Sequence, residues 1–195
     1  MPTFSRLATL FVFFLSFTLI TLALPTPSYS YSEESDNLLV PDASPDRVLN
    51  LLIDLEGKIK EPMRLVAEAK SYTEVRAQVE VVVSYLEACN EAVLAASKQG
   101  NINESTKAEV ASRAAAIIST IVQACLEVSL KLGWFLIFGI FAKIDVCLKS
   151  LITNLGVCGE GLVSGIAKIV SSTCTQLLIS LNFNQSMTAL SITSL

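Results

Sequence analysis

The sequence predicts an all-α protein, a helical bundle of about four to five helices with a strongly hydrophobic C-terminal half. Three observations carry this. Apolar residues recur at helical spacing over several long stretches. The segments between them are short and marked by glycine, proline or polar residues. No stretch alternates apolar with polar residues as a half-buried strand would. Long helices joined by short connections satisfy all three.

Residues 1–23 stand outside this fold. Arg6 is the only charge before the apolar run Leu7–Leu24, Thr21-Leu22-Ala23 supplies small residues at a cleavage site, and Pro25 and Pro27 follow. That order predicts a secretory signal peptide. An N-terminal membrane anchor is the competing reading, disfavoured because the small residues and prolines stand where a peptidase needs them. Residues 24–43 are rich in proline, serine and acid without apolar periodicity and predict a disordered linker. Residues 44–195 predict a single helical domain.

Within that domain, Ser44 and Pro45 are a favoured N-cap and first position, and Val48, Leu52, Leu55 and Ile59 form the stripe of the first helix, which Pro62 is expected to kink or end. A second helix is expected from near Thr73 to about Lys98, with Val75, Val79, Val82, Leu86, Cys89 and Val93 inward. After a polar loop, Thr106-x-x-Glu109 reads as a capping box. It opens a third helix to about Leu130 with Ile117, Ile121, Val122, Cys125 and Val128 on one face. Glu109–Arg113 and Glu127–Lys131 are spaced as i,i+4 pairs. Gly133 breaks the chain, a fourth helix runs to about Leu155, Gly156–Gly161 turns, and a fifth helix spans Leu162 to about Leu181. Gly161-x-x-x-Gly165 suits a close helix contact. Residues 182–195 are expected to fray.

The domain divides by composition. Leu24–Val110 holds 23 charged residues and Ala111–Leu195 holds 8. The first, charged half (44–110) should have wet helix faces; the second (111–181) has few residues to keep it soluble. The whole chain has 14 basic and 18 acidic residues and no basic stripe, so neither nucleic acid nor, through charge, an anionic membrane surface is an expected partner. Secretion would place Cys89, Cys125, Cys147, Cys158 and Cys174 in an oxidising compartment, making all five disulfide candidates whose pairing the sequence leaves open. Asn103-Glu104-Ser105 and Asn184-Gln185-Ser186 are glycosylation sequons, so Asn103 and Asn184 are candidate glycan sites of a glycoprotein.

No catalytic constellation is visible. The chain has no histidine, which removes Ser-His-Asp and Cys-His chemistry and most zinc sites. The cysteines contain no C-x-x-C, and the glycines of GVCGEG lack the Lys-Ser/Thr of a phosphate loop. After residue 130 the only acids are Asp145 and Glu160, and Lys149 stands four residues beyond Asp145 as an ordinary ion-pair partner. No enzyme, cofactor or metal is expected.

The distinctive stretch is GWFLIFGIFA, Gly133–Ala142, with the only tryptophan and three of the nine phenylalanines. At about 100° per residue, the helix after Lys143 is amphipathic, with Ile144, Cys147, Leu148, Leu151, Ile152 and Leu155 on one side. Trp134, Ile137, Ile140 and Phe141 extend that side upstream. Phe135, Leu136 and Phe138 fall on the side that is polar downstream, so this end is apolar all round. Burial of three such side chains is worth roughly 6 kcal/mol, which calls for a cover. Eleven uncharged residues between Lys131 and Lys143 fall short of the roughly 20 a membrane span needs. The cover is then either the protein's own bundle, with this helix at its centre, or a partner surface, for which the candidate hydrophobic interaction patch is Trp134, Phe135, Leu136, Phe138 and Phe141.

A signal segment at 1–23, a charged first half and an oily second half without catalytic residues resemble the layout of secreted, non-hydrophobin structural proteins of the cell wall and aerial-hypha matrix of mushroom-forming fungi. The resemblance implies an extracellular protein of the cell wall or matrix that aids aerial hypha formation and attachment. The oily half points the same way, to assembly or adsorption at the wall or at an air–water interface. Self-association, a cell-wall or other hydrophobic surface, and lipid are the partners this suggests. A helical carrier for a lipid or other hydrophobic ligand is the alternative, and a membrane-inserting or membrane-anchored protein the second.

Overall fold

In the computed structural model, residues 47–98 and 102–192 are described. The expected signal peptide, the expected linker and the Ser44-Pro45 helix start lie outside the described residues. Among the described residues the protein is all-α: α1 (Arg47–Glu68), α2 (Tyr72–Ser97), α3 (Glu104–Leu132), α4 (Trp134–Cys158), α5 (Leu162–Thr173), α6 (Thr175–Ser180) and α7 (Asn184–Ala189).

The expected stripes are the buried faces. Leu52, Leu55 and Ile59 of α1, Val75, Val79, Val82, Leu86 and Val93 of α2, and Ile117, Ile121, Val122, Cys125 and Val128 of α3 all lie in one hydrophobic core. α1 packs against α2 and α3, while α4 packs mainly against α2 and also against α3. Two cross-links set direction. Arg113 of α3 reaches Glu56 at 2.9 Å, and further along both helices Lys131 donates to the Ala67 carbonyl at 2.6 Å. Hence α1 and α3 run parallel. Asn90 Nδ2 donates to the Cys147 carbonyl, and further on the Cys158 thiol reaches the Val93 carbonyl, so α2 and α4 also run parallel. The short connection at 69–71 makes α1 and α2 an antiparallel hairpin.

Several local expectations fail for identifiable reasons. Pro62 neither ends nor delimits α1, which continues to Glu68. Met63 and Val66 beyond it are fully buried, and this packing outweighs the hydrogen bond that proline cannot donate. The capping box is not at Thr106: α3 already begins at Glu104, and the Thr106 hydroxyl donates to the Asn103 carbonyl. A reciprocal cap stands instead at α2, where Ser71 Oγ accepts from the Glu74 N–H and the Glu74 carboxylate accepts from the Lys70 N–H. Of the expected ion pairs, Glu109–Arg113 is present at 3.8 Å, behind the closer Glu56 partner. Lys131 turns from Glu127 to the carbonyl end of α1, which a cation satisfies well.

The last predicted helix is two. Ser172, Thr173 and Thr175 hydroxyls bond back to carbonyls of residues 169–171, competing with the backbone ladder, and the chain breaks at Cys174. Upstream of that break, Gly165 lets α5 lie close on α3. A Cβ there would stand 3.3 Å from the Ala111 Cβ. The stretch beyond Asn182 does not fray over 183–190. Phe183, Met187 and Leu190 are buried, and α7 packs on α4.

Candidate functional site

The site is the junction of α3 and α4. Gly133 adopts φ +89°, a conformation that L side chains rarely take. Its N–H closes α3 on the Ser129 carbonyl at 3.0 Å, and α4 starts at the next residue. Two helix ends therefore meet across one residue, and the apolar first turns of α4 stand at that junction. The first turn of α4 has no side-chain cap and no acid.

The wheel separates α4 as expected into an inward and a surplus set. Ile137, Ile140 and Phe141 are buried, Phe141 to 1% exposure. Phe135 is 97% exposed, Leu136 53% and Phe138 42%. Trp134 is half-buried, its ring edge-on to Phe138 with centroids 5.3 Å apart. Phe141 thus leaves the candidate patch and belongs to the core, because it points between α4 and the C-terminal segment. Leu130, at the end of α3 and 79% exposed, joins Phe135, Leu136 and Phe138 at the junction. The sequence reading missed it, although it lies about 200° round the helix from the inward Val128.

The segment that joins α3 to α4 differs in charge from the chain as a whole. Between Glu127 and Asp145 there are two lysines, Lys131 and Lys143, and no acid. Asp145 is not the solvent-side partner of Lys149. It is 5% exposed and accepts from the Gln185 N–H (3.0 Å), the Ser186 N–H (2.8 Å) and the Ser186 hydroxyl (2.6 Å). A carboxylate of α4 therefore caps α7 from outside, satisfying donors that a helix start leaves open. Lys149 instead reaches the Gln185 side chain at 3.5 Å. A cleft of about 200 Å³ opens beside this cap, between Phe138 and Phe141 of α4 and Leu181–Gln185.

The disulfide expectation is corrected. Cys89, Cys125, Cys147, Cys158 and Cys174 are all free and all buried. They are dispersed over α2, α3, α4 and the α5–α6 break. Cys147 and Cys158 share one helix but are about 16 Å apart along its axis, beyond disulfide reach. Cys89 and Cys158 contact the Leu51 and Val93 carbonyls instead. Burial raises each thiol above its ordinary value of 9.0, Cys89 to about 11. They act as small apolar core residues.

Of the sequons, Asn103 lies exposed at the N-cap of α3 with its side chain making no capping bond. Asn184 is also exposed, but its Nδ2 donates to Asn182 Oδ1 at 2.7 Å and Ser186 is fully buried. Among the described residues no group of histidine, cysteine or acid side chains is arranged to hold a metal ion. α3, rather than the stretch after Gly133, is long and apolar enough to cross a membrane; half of its apolar window is buried in the bundle. No family model, curated protein or solved structure matches the chain.

Proposed function

We propose that this is a secreted, surface-active structural protein of the cell wall or matrix. It adsorbs or assembles at an apolar–aqueous boundary through the exposed α3–α4 end, and its role is physical rather than catalytic. The observation that carries this is the exposure of Phe135, with Leu136 and Phe138 exposed on the same first two turns of α4 and Leu130 exposed in the last turn of α3. Scattered exposed apolar residues are ordinary, whereas several large ones gathered at one helix end mark an interaction surface. Each contributes roughly 2 kcal/mol when removed from water, so the group is strong enough to hold a folded domain at a boundary.

The test is surface tension. The mature protein should lower it at concentrations where the Phe135→Ser/Leu136→Ser/Phe138→Ser variant, folded to the same helicity, does not. Equal activity of the two proteins would overturn the proposal.

A further inference from the structure

The two sequons share a pattern, and the fold treats them in opposite ways. We infer that Asn103 carries an asparagine-linked oligosaccharide and that Asn184 does not. The sugar marks the water-facing end of the bundle, opposite the apolar first turns of α4. The inference rests on the secreted, surface-active reading above and adds to it a modified residue and an orientation.

Accessibility is the first argument. Asn103, Glu104 and Ser105 are all exposed. Asn103 has extended backbone angles, φ −66° and ψ 143°, and its side chain makes no capping bond to α3. Its backbone carbonyl accepts from the Thr106 and Lys107 N–H groups instead. A bulky, hydrophilic addition at Nδ2 therefore displaces no contact that holds the start of α3. At Asn184-Gln185-Ser186 the third residue is fully buried. The Ser186 hydroxyl donates to Asp145 Oδ1 at 2.6 Å, and the same carboxylate holds the Gln185 and Ser186 N–H groups. The hydroxyl that completes a sequon is thus withdrawn when α7 docks on α4.

Position is the second. The Ile102 N–H donates to the Cys158 carbonyl at 2.9 Å, so the start of α3 lies beside the end of α4. Both helices stretch between that end and Gly133, α3 over 29 residues and α4 over 25. At 1.5 Å per residue this separates Asn103 from Phe135 by about 40 Å. An oligosaccharide on Asn103 leaves Phe135, Leu136 and Phe138 uncovered and gives the molecule one wet end and one oily end.

The step is a glycosyl transfer from a polyprenyl-diphosphate-linked oligosaccharide. A bond forms between Asn103 Nδ2 and the anomeric carbon of the first sugar, and the bond from that carbon to the diphosphate oxygen breaks. Nδ2 gives up one proton to solvent, and the polyprenyl diphosphate leaves with the bonding pair. Nothing is oxidised or reduced.

The test is translation of the full chain with microsomes, followed by protease protection and glycopeptide mass spectrometry. The protected chain should carry one endoglycosidase-sensitive glycan, on Asn103. Asn103→Gln and Ser105→Ala should each abolish it, and Asn184→Gln should leave it in place. Asp145→Ala, which frees Ser186, should add occupancy at Asn184. On an emulsion the glycosylated protein should stay open to the endoglycosidase while Trp134 emission shifts to the blue. A protected chain bare at Asn103, or a glycan on Asn184 of the native chain, would overturn the assignment and leave secretion intact. Asp145→Ala still bare at Asn184 would overturn the burial argument, and a sugar shielded on adsorption would overturn the orientation. A chain that is never protected would overturn secretion and the inference together.

Discussion

Phe135 and Phe141 lie on the same helix, less than two turns apart. One is almost wholly exposed and the other almost wholly buried. The difference is made by a distant part of the chain. Leu181–Leu190 folds back onto α4, places Phe183 beside Phe141, and is held there by Asp145. Its cover reaches Phe141 and stops short of the first turn. Two segments of one apolar stretch thus have different roles, core and surface, decided by whether the C-terminal segment reaches them.

The comparison can be broken most strongly at the covered end. Phe141→Ala should destabilise the fold by about 3–5 kcal/mol through the lost burial and the cavity left behind. Phe135→Ala should change stability by less than about 0.5 kcal/mol. Chemical denaturation of the pair checks this, and similar losses from both would mean that the two sites are not distinct.

A smaller effect is expected at the latch. Asp145→Ala leaves the Gln185 and Ser186 N–H groups without their acceptor and the buried Ser186 hydroxyl with only its longer contact to the residue-145 carbonyl, at about 2–3 kcal/mol. The loss should be local to α7, so hydrogen exchange at 183–190 should accelerate while α1 and α2 stay protected. An unchanged exchange pattern would remove Asp145 from its proposed role. The released segment would uncover Phe141, and the variant should adsorb to apolar surfaces more than the native protein.

The smallest effect is a reporter on the covered side. Cys147 is buried on α4, and desolvation, with Glu87 nearby, holds its thiol above 9.0. The native thiol should therefore alkylate more slowly than an unfolded one at mildly alkaline pH. Because the folded state retains the proton longer, the contribution to stability is intact below pH 9 and declines as pH rises past it. Rapid modification of Cys147 in the folded protein would contradict the burial.

Much of this was legible in the sequence, in a patterned way. Helix stripes and the division of α4 into Trp134/Ile137/Ile140/Phe141 and Phe135/Leu136/Phe138 followed from periodicity, which is local and survives folding, although Trp134 at the helix start is only half-buried. What escaped was tertiary in origin. Pro62 inside α1 is carried by packing of Met63 and Val66. The Asp145 cap joins residues 40 apart, so Lys149 looked like the partner because it was near in sequence. The cysteines suggested disulfides because composition reports a count and a compartment, whereas bridging requires two of them to meet in space.

The central claim is that the first two turns of α4 form the surface-facing end of an otherwise self-contained bundle. Trp134 emission, recorded as the protein adsorbs to a hexadecane–water emulsion, tests it most directly. The account predicts a blue shift with helicity retained, and no shift for Phe135→Ser/Leu136→Ser/Phe138→Ser. An equal shift in both proteins, or adsorption that leaves Trp134 unchanged, would contradict it.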